Sequence, residues 1–259
     1  IVAAARVSYG QDIRENDPDY NIDTTDFPRK PCNTCGSMSN PQYKGVCNKD
    51  CIPESEGPTY YERKRLEKDR GLLRYMMRHN HGTPYEMAEI KLLVRVPMDT
   101  WRQWIRHRTA NVNEMSARYS ILDKEFYIPE GANMAMQSKS NKQGRGEVLD
   151  DIRKGNAQNR IKTAGETAYQ DYEWLLGETA EGEEIEGIGL ARELSRMVLP
   201  TNFYTRWFWK TDLHNLLHFL RLRMDKHAQY EIRVYADAIY EIVQQWVPGC
   251  AEAFENAVL

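Results

Sequence analysis

From Glu89 to Val96 the sequence alternates with a period of two. Ile90, Leu92, Val94 and Val96 fall on one side, and Glu89, Lys91, Leu93 and Arg95 on the other. This pattern specifies a strand with one buried face. Pro97 ends it, and the Pro97-Met98-Asp99 turn leads into a helix marked by Trp101, Trp104 and Ile105 at i, i+3, i+4 spacing. Arg106, His107 and Arg108 follow directly. Adjacent helical residues point about 100° apart, so the three would fan out and grip a multiply charged anion from several sides. Arginine suits that task, because its planar fork donates paired bonds to phosphate. The next residues are short and polar: Thr109, Asn111, Asn113 and Ser116, with Glu114 and Arg118 among them. Such side chains favour turns over helix interiors. On an extended backbone Glu114, Ser116 and Arg118 would share a side. Composition alone leaves two readings open, a phosphate-ligand site or a solvated basic helix end.

Arg106-His107-Arg108, seven residues, then Ser116 matches the RHR-x7-S signature of the flavin-dependent thymidylate synthases (ThyX), and the resemblance runs on through NE-x-S-x-RYS at Asn113–Ser120. Further blocks are similar to the same family. They are Ala4-Arg6-Ser8 within residues 1–10, His81-Gly82-Thr83-Pro84-Tyr85-Glu86, Glu193-x-x-Arg196-x-Val-Leu-Pro, and LRLRMDKHAQYEIR at 220–233. Together they cover residues 1–10 and about 60–250.

The resemblance implies reductive methylation of dUMP to dTMP. Methylenetetrahydrofolate would give the carbon, and a bound FAD, reduced by NADPH, the hydride. It implies dUMP contacts at Gln103, Arg106, Glu114, Ser116, Arg118, Arg196 and Arg223. Arg223 is the catalytic cation facing the pyrimidine, and Glu193 orients Arg196. Flavin-side residues are His81, Thr83, Glu86, Arg106, His107, Arg108, Asn113, Glu114, His214 and His218; the family often carries Asn or Arg where this chain has Asp212, His214 and His218. The implied fold is α+β, a twisted antiparallel sheet flanked by helices, as one synthase domain over residues 1–259. The implied assembly is a homotetramer with active sites between subunits. No GxGxxG occurs, so the flavin site would not be a Rossmann one. The cysteine-dependent synthases need a thiol at the pyrimidine, whereas the only cysteine here outside residues 11–58 is Cys250, in none of the polar blocks.

Residues 11–58 are an insertion relative to that family. They are rich in Pro, Asp, Asn and Gly and hold Cys32, Cys35, Cys47 and Cys51 with C-x2-C-x11-C-x3-C spacing. Two close pairs across a short loop suit a tetrahedral Zn²⁺, which would supply folding energy that so polar a segment lacks. Two disulfides or four free thiols are the other readings.

Charge and hydropathy narrow the function classes. The net charge is −3 and the pI near 6.1, whereas a general nucleic-acid binder carries a strong basic excess. Mean hydropathy is −0.72 and no 18-residue apolar run occurs, so no membrane span is expected. No secretion signal is visible and a cytoplasmic location is expected; because the first residue is Ile1 rather than Met, an N-terminal piece is expected to be missing. Two other functions stay in view. One is a non-flavin pyrimidine-nucleotide hydrolase, although no clustered carboxylate motif appears. The other is a zinc-ribbon nucleic-acid-binding protein with an inactive synthase domain.

Elsewhere, helices are predicted over Tyr60–Arg78, over 161–176, after a cap at Asp212, and from His227 to a break at Pro248-Gly249. Residues 125–129 and 201–210 read as extended segments. Residues 137–146 read as a polar solvent loop or a flap over an anionic ligand, and 181–187 as a solvated connection. His214 and His218 share a helix face at i, i+4, but the glutamate of metalloprotease helices is missing.

Overall fold

The computed structural model describes residues 30–31, 38–39 and 60–258. The Ala4–Ser8 block and the four insertion cysteines lie outside the described residues. Two compact units emerge, residues 1–88 with 246–259, and Glu89–Gln245.

In the first unit β1 (Lys30–Pro31) pairs antiparallel with β2 (Met38–Ser39). Helix α1 (Tyr60–Arg78) ends close to where predicted, and two residues on Asn80, with a φ of 55°, turns the chain in the left-handed region that Asn tolerates. Helix α1 packs against the last helix, Pro248–Val258; Leu73 and Met76 are buried on the one and Ala251, Ala253 and Phe254 on the other. The short α2 (Thr83–Glu86) has Pro84 in its first turn, and Tyr85 Oη donates to the Leu73 carbonyl at 2.9 Å. Cys250 is buried in this unit, and burial pushes its thiol up to about 11. That thiol stays protonated and is a packing group rather than a nucleophile.

The second unit is built on a three-stranded antiparallel sheet. Strand β3 (Glu89–Pro97) shows the expected alternation, with Val94 and Val96 buried and Leu93 and Arg95 exposed. Helix α3 (Met98–Trp104) follows, then the edge strand β4 (Asn111–Glu114). A hairpin of β5 (Ala135–Gln137) and β6 (Arg145–Val148) replaces the polar loop expected at 137–146, whose residues 138–144 form its tip. Helix α4 runs from Asp151 to Leu176, ten residues longer than predicted at its start. Its first turns face solvent and carry no apolar period, but the Asp150 carboxylate caps them by accepting from Arg153 N at 2.9 Å. Gly177, at φ 75°, closes the helix.

The acidic connection 181–187 is exposed, but backbone bonds pin it to α4. Ile185 N donates to Gly177 O at 3.0 Å, and Ile188 N to Trp174 O at 3.0 Å. Gly187 lies so close to α4 that an added Cβ would sit 2.3 Å from the Trp174 carbonyl oxygen and 2.7 Å from Gly177 Cα.

After the one-turn helix α5 (Arg192–Ser195), strand β7 (Tyr204–Asp212) enters between β3 and β4. Helix α6 (Leu213–Arg223) starts where predicted, with the Asp212 carboxylate accepting from Asn215 N at 2.9 Å. Helix α7 begins at Tyr230 rather than His227. Residues 224–228 before it bend and turn, and there the Asp225 carboxylate accepts from His227 N at 2.7 Å. The helix ends at Trp246, before the expected Pro248-Gly249 break.

The buried face of the sheet is aromatic. Trp104, Trp207, Trp209 and Phe219 are each at most 1% exposed. Trp104 meets Trp207 and Trp209 edge-on, with centroids at 5.3 and 5.2 Å, and stacks on Phe219 at 4.9 Å. Pairs of this kind add about 0.5–1.5 kcal/mol each beyond the area they bury. A second cluster forms where Tyr169 and Tyr172 of α4 pack with Ala117 and Leu122. Tyr169 Oη donates to Leu122 O at 2.6 Å, which ties the segment after β4 to that helix. The chain is thus mixed α and β with antiparallel pairing flanked by helices.

Candidate active site

The aromatic cluster fixes the residues that follow it. Trp104 is the last residue of α3, and His107 N still donates to its carbonyl at 2.9 Å, so the basic triplet leaves the helix in a turn anchored on a buried side chain. Phe219 sits in the middle of α6, edge-on to His107 at 4.9 Å. One turn further along, Arg223 Nε lies 3.0 Å from His107 Nε2. Arginine can only donate there, so His107 Nε2 accepts and the imidazole is neutral. Burial is the main cause that pulls the His107 pKa down to about 4, and Arg223 and His218 add to it. Burial likewise lowers the Arg223 pKa.

These residues open onto a cavity of about 370 Å³ whose polar wall holds Arg106, His107, Arg108, Asn215, His218 and Arg223. Trp209 and Leu222 supply apolar wall. Three guanidinium groups, a neutral imidazole and an aromatic floor form a donor set for an anionic ligand with a flat ring. His218 also has a lowered pKa, through burial first and then Arg221, His214 and Arg223. His214 stands outside that cavity's lining.

A second cavity, about 660 Å³, shares Arg223 and Leu222 with the first. Gln103 lines it, with its Oε1 buried and without a hydrogen-bond partner among the described residues. Gln143, Arg145, Arg221, Asp225, His227 and Gln229 complete its polar wall.

The remaining predicted residues lie elsewhere. Glu114 ends β4, accepts from Thr205 Oγ1 at 2.8 Å, and has its pKa raised by burial against the opposing pull of that bond, Arg102 and Arg196. Asn113, one residue earlier, is exposed. Ser116 opens a turn in which Tyr119 N donates to its carbonyl at 3.0 Å and Arg118 N to its Oγ at 3.3 Å. The extended alternation of Glu114, Ser116 and Arg118 therefore stops at Glu114. Arg118 and Arg196 are exposed, and Arg196 Nε reaches the Glu193 backbone carbonyl at 3.4 Å rather than its carboxylate. His81, Thr83 and Glu86 belong to the first unit, where the His81 ring lies edge-on to Tyr75 at 5.8 Å.

Sequence reasoning missed Asn215, Trp209, Gln143, Arg145 and Arg221. Trp209 lies in a segment that reads only as extended, and Asn215 lies in the first turn of the helix that Asp212 caps; neither carries a local sign that it lines a cavity. Arg145 sat in a segment too polar to show any period.

The model of the family described as thymidylate synthase complementing protein matches residues 1–249. The flavin-dependent thymidylate synthase of Ruegeria pomeroyi is 55% identical over 193 residues, 74% of this chain and 62% of that protein. That of Gluconobacter oxydans is 54% identical over 193 residues, 74% of this chain and 61% of that protein, and that of Rickettsia conorii 54% over 198 residues, 74% and 67%. The chain thus spans under two thirds of the first two relatives. Among solved structures, the UMP/dUMP methylase PolB from Streptomyces cacaoi bound with 5-Br dUMP superposes with a TM-score of 0.65 at 30% identity, over 82% of this chain and 86% of that one.

Proposed function

The chain belongs to the thymidylate synthase complementing protein family, and from that premise we propose that it methylates dUMP reductively to dTMP, with methylenetetrahydrofolate as carbon donor, FAD as cofactor and NADPH as reductant. The observation that carries this reading is the contact of Arg223 with His107 at the partition between two cavities lined by Gln103 and the Arg106–Arg108 triplet.

The donor set fits the cofactor. Arg106 and Arg108 would hold the dinucleotide phosphates, and the apolar wall would take the ring. When bound, FAD supplies the hydride, and the protein positions and polarises. His107, neutral above about pH 4, receives the Arg223 Nε hydrogen bond and so aims that guanidinium without competing for charge. Arg223 pays a burial penalty that an anion relieves, so it favours ionisation of the pyrimidine N3. Gln103 offers an unpartnered carbonyl oxygen in the second cavity, an acceptor for a ring N–H or a ribose hydroxyl. Glu114, Ser116, Arg118 and Arg196 would complete the dUMP site, and His81, Thr83, Glu86, Asn113, His214 and His218 the flavin site, in a homotetramer whose active sites lie between subunits. Purified protein is expected to be yellow with bound flavin, to oxidise NADPH, and to form dTMP from dUMP and methylenetetrahydrofolate. A colourless protein that cannot be reconstituted with FAD refutes the reading and favours a hydrolase or an inactive domain. No described helix is long and apolar enough to cross a membrane, and a cytoplasmic location fits this chemistry.

Cys32, Cys35, Cys47 and Cys51 are proposed to hold one structural Zn²⁺ on the strength of their paired spacing. Four thiolates close the coordination sphere, so the metal would take no part in the chemistry. Elemental analysis should find about one zinc per chain. Replacing Cys32 and Cys35 with Ser should remove it and expose residues 11–58 to proteolysis with FAD still bound. Freely titrating thiols in a zinc-free native protein would refute the site.

A further inference from the structure

The β5–β6 hairpin is joined to the start of α7 by an ion pair between an exposed arginine and a buried carboxylate. Arg145 Nη2 spans both carboxylate oxygens of Glu231, at 2.7 Å to Oε1 and 2.6 Å to Oε2. Glu231 is only 4% exposed. Tyr127 Oη donates to its Oε1 at 2.8 Å, and Arg145 Nη1 lies 3.4 Å from Asn133 Oδ1. Burial alone would raise the Glu231 pKa, but the bonds from Arg145 and Tyr127 outweigh it and the net direction is down, so the carboxylate is ionised. A buried carboxylate held this way is costly unless its partner stays in place. The partner here projects from a strand that pairs with β5 and whose residues are all exposed, so the ion pair ties that strand to α7. Arg145 and Gln143, at the hairpin tip, line the 660 Å³ cavity together with Gln103 and Arg223.

We propose that Glu231 is a positioning residue for the reaction: it holds Arg145, and with it the Gln143-bearing hairpin, as a fixed wall of the Gln103–Arg223 cavity, so that the anionic oxygens of the nucleotide meet a second, preorganised cation. This rests on the reading of that cavity as the dUMP site. Arg145 is the binding group and Glu231 acts through it. Without the carboxylate the guanidinium keeps its charge but gains rotamer freedom, which must be lost again on each binding event. The loss should therefore appear in KM rather than kcat.

The experiment uses the full chain loaded with FAD and compares Glu231→Gln, Arg145→Met and the double variant, by steady-state kinetics with dUMP varied and by calorimetric titration of dUMP. Arg145→Met should raise KM and Kd for dUMP by about tenfold, the scale of one charge-assisted bond, with kcat within about threefold. Glu231→Gln should raise both in the parent background and add nothing when Arg145 is already Met, which a packing defect would not reproduce. Should Glu231→Gln fail to fold, the Arg145→Met arm decides, because that side chain is surface-accessible. Unchanged KM and Kd in Arg145→Met, or a Glu231→Gln effect that persists in full beside Arg145→Met, overturns the proposal alone. A parent chain that neither binds dUMP nor turns it over removes the substrate reading and this proposal with it.

Discussion

Arg223→Ala keeps its flavin and loses dUMP turnover by about 10- to 150-fold, which is the roughly 1.5–3 kcal/mol of a hydrogen bond to a charged group. The measurement is kcat/KM for dUMP alongside flavin absorbance, and an unchanged kcat/KM would sink the assigned role. The same variant has a second readout at His107. Arg223 is the second cause of its lowered pKa, after burial. Removing that cation should move the imidazole up from about 4 and short of the ordinary 6.5, because burial remains. NMR titration of the ring should show it. The sign follows from linkage. The folded value lies below the unfolded one, so the contribution of neutral His107 to stability is complete above about 6.5 and is lost as the pH falls toward about 4. In Arg223→Ala that loss should occur over a narrower pH range and be smaller.

Trp104→Ala is expected to be the most damaging change in the second unit, by about 3–5 kcal/mol. At a few degrees per kcal/mol for a unit of this size, the melting temperature should fall by roughly 10 °C. Trp104 is fully buried and touches Trp207, Trp209 and Phe219 at once. The cavity left behind would also loosen the turn that carries the basic triplet, since the buried indole is what anchors the start of that turn. Trp104→Phe should cost much less, because it keeps an aromatic ring and removes an indole N–H that has no partner among the described residues. Equal melting temperatures for parent and Trp104→Ala would show that the cluster does not organise the unit.

Legibility in the sequence followed the physics of each segment. Strand β3 and helix α6 were readable because one face of each is buried and the period is strict, and Asp212 announced its cap. The turn at Ser116 was not, because short polar residues carry no period and the bond that bends the chain is made by its own backbone. The first ten residues of α4 are mostly solvated and bury no large apolar side chain, so they have no stripe to read. The Arg106–Arg108 triplet was located from its neighbours in the chain. Its contact with Arg223 spans 116 residues, and the Arg145–Glu231 pair spans 86; neither leaves a local trace. The resemblance to a known family named Arg223 as important, and only the fold shows that a neutral histidine aims it.

Anyone wishing to attach a fluorophore or an affinity peptide to this protein would look first at the acidic stretch after α4, which by composition resembles a free tether. Only its apex qualifies. Around Gly182, which has a positive φ of 82° and open space beyond its Cα, a graft could leave the rest undisturbed. Five residues on, at Gly187, even a methyl group would strike the backbone of the helix it lies against, so the second half of the loop belongs to α4 as firmly as if it were one of its turns.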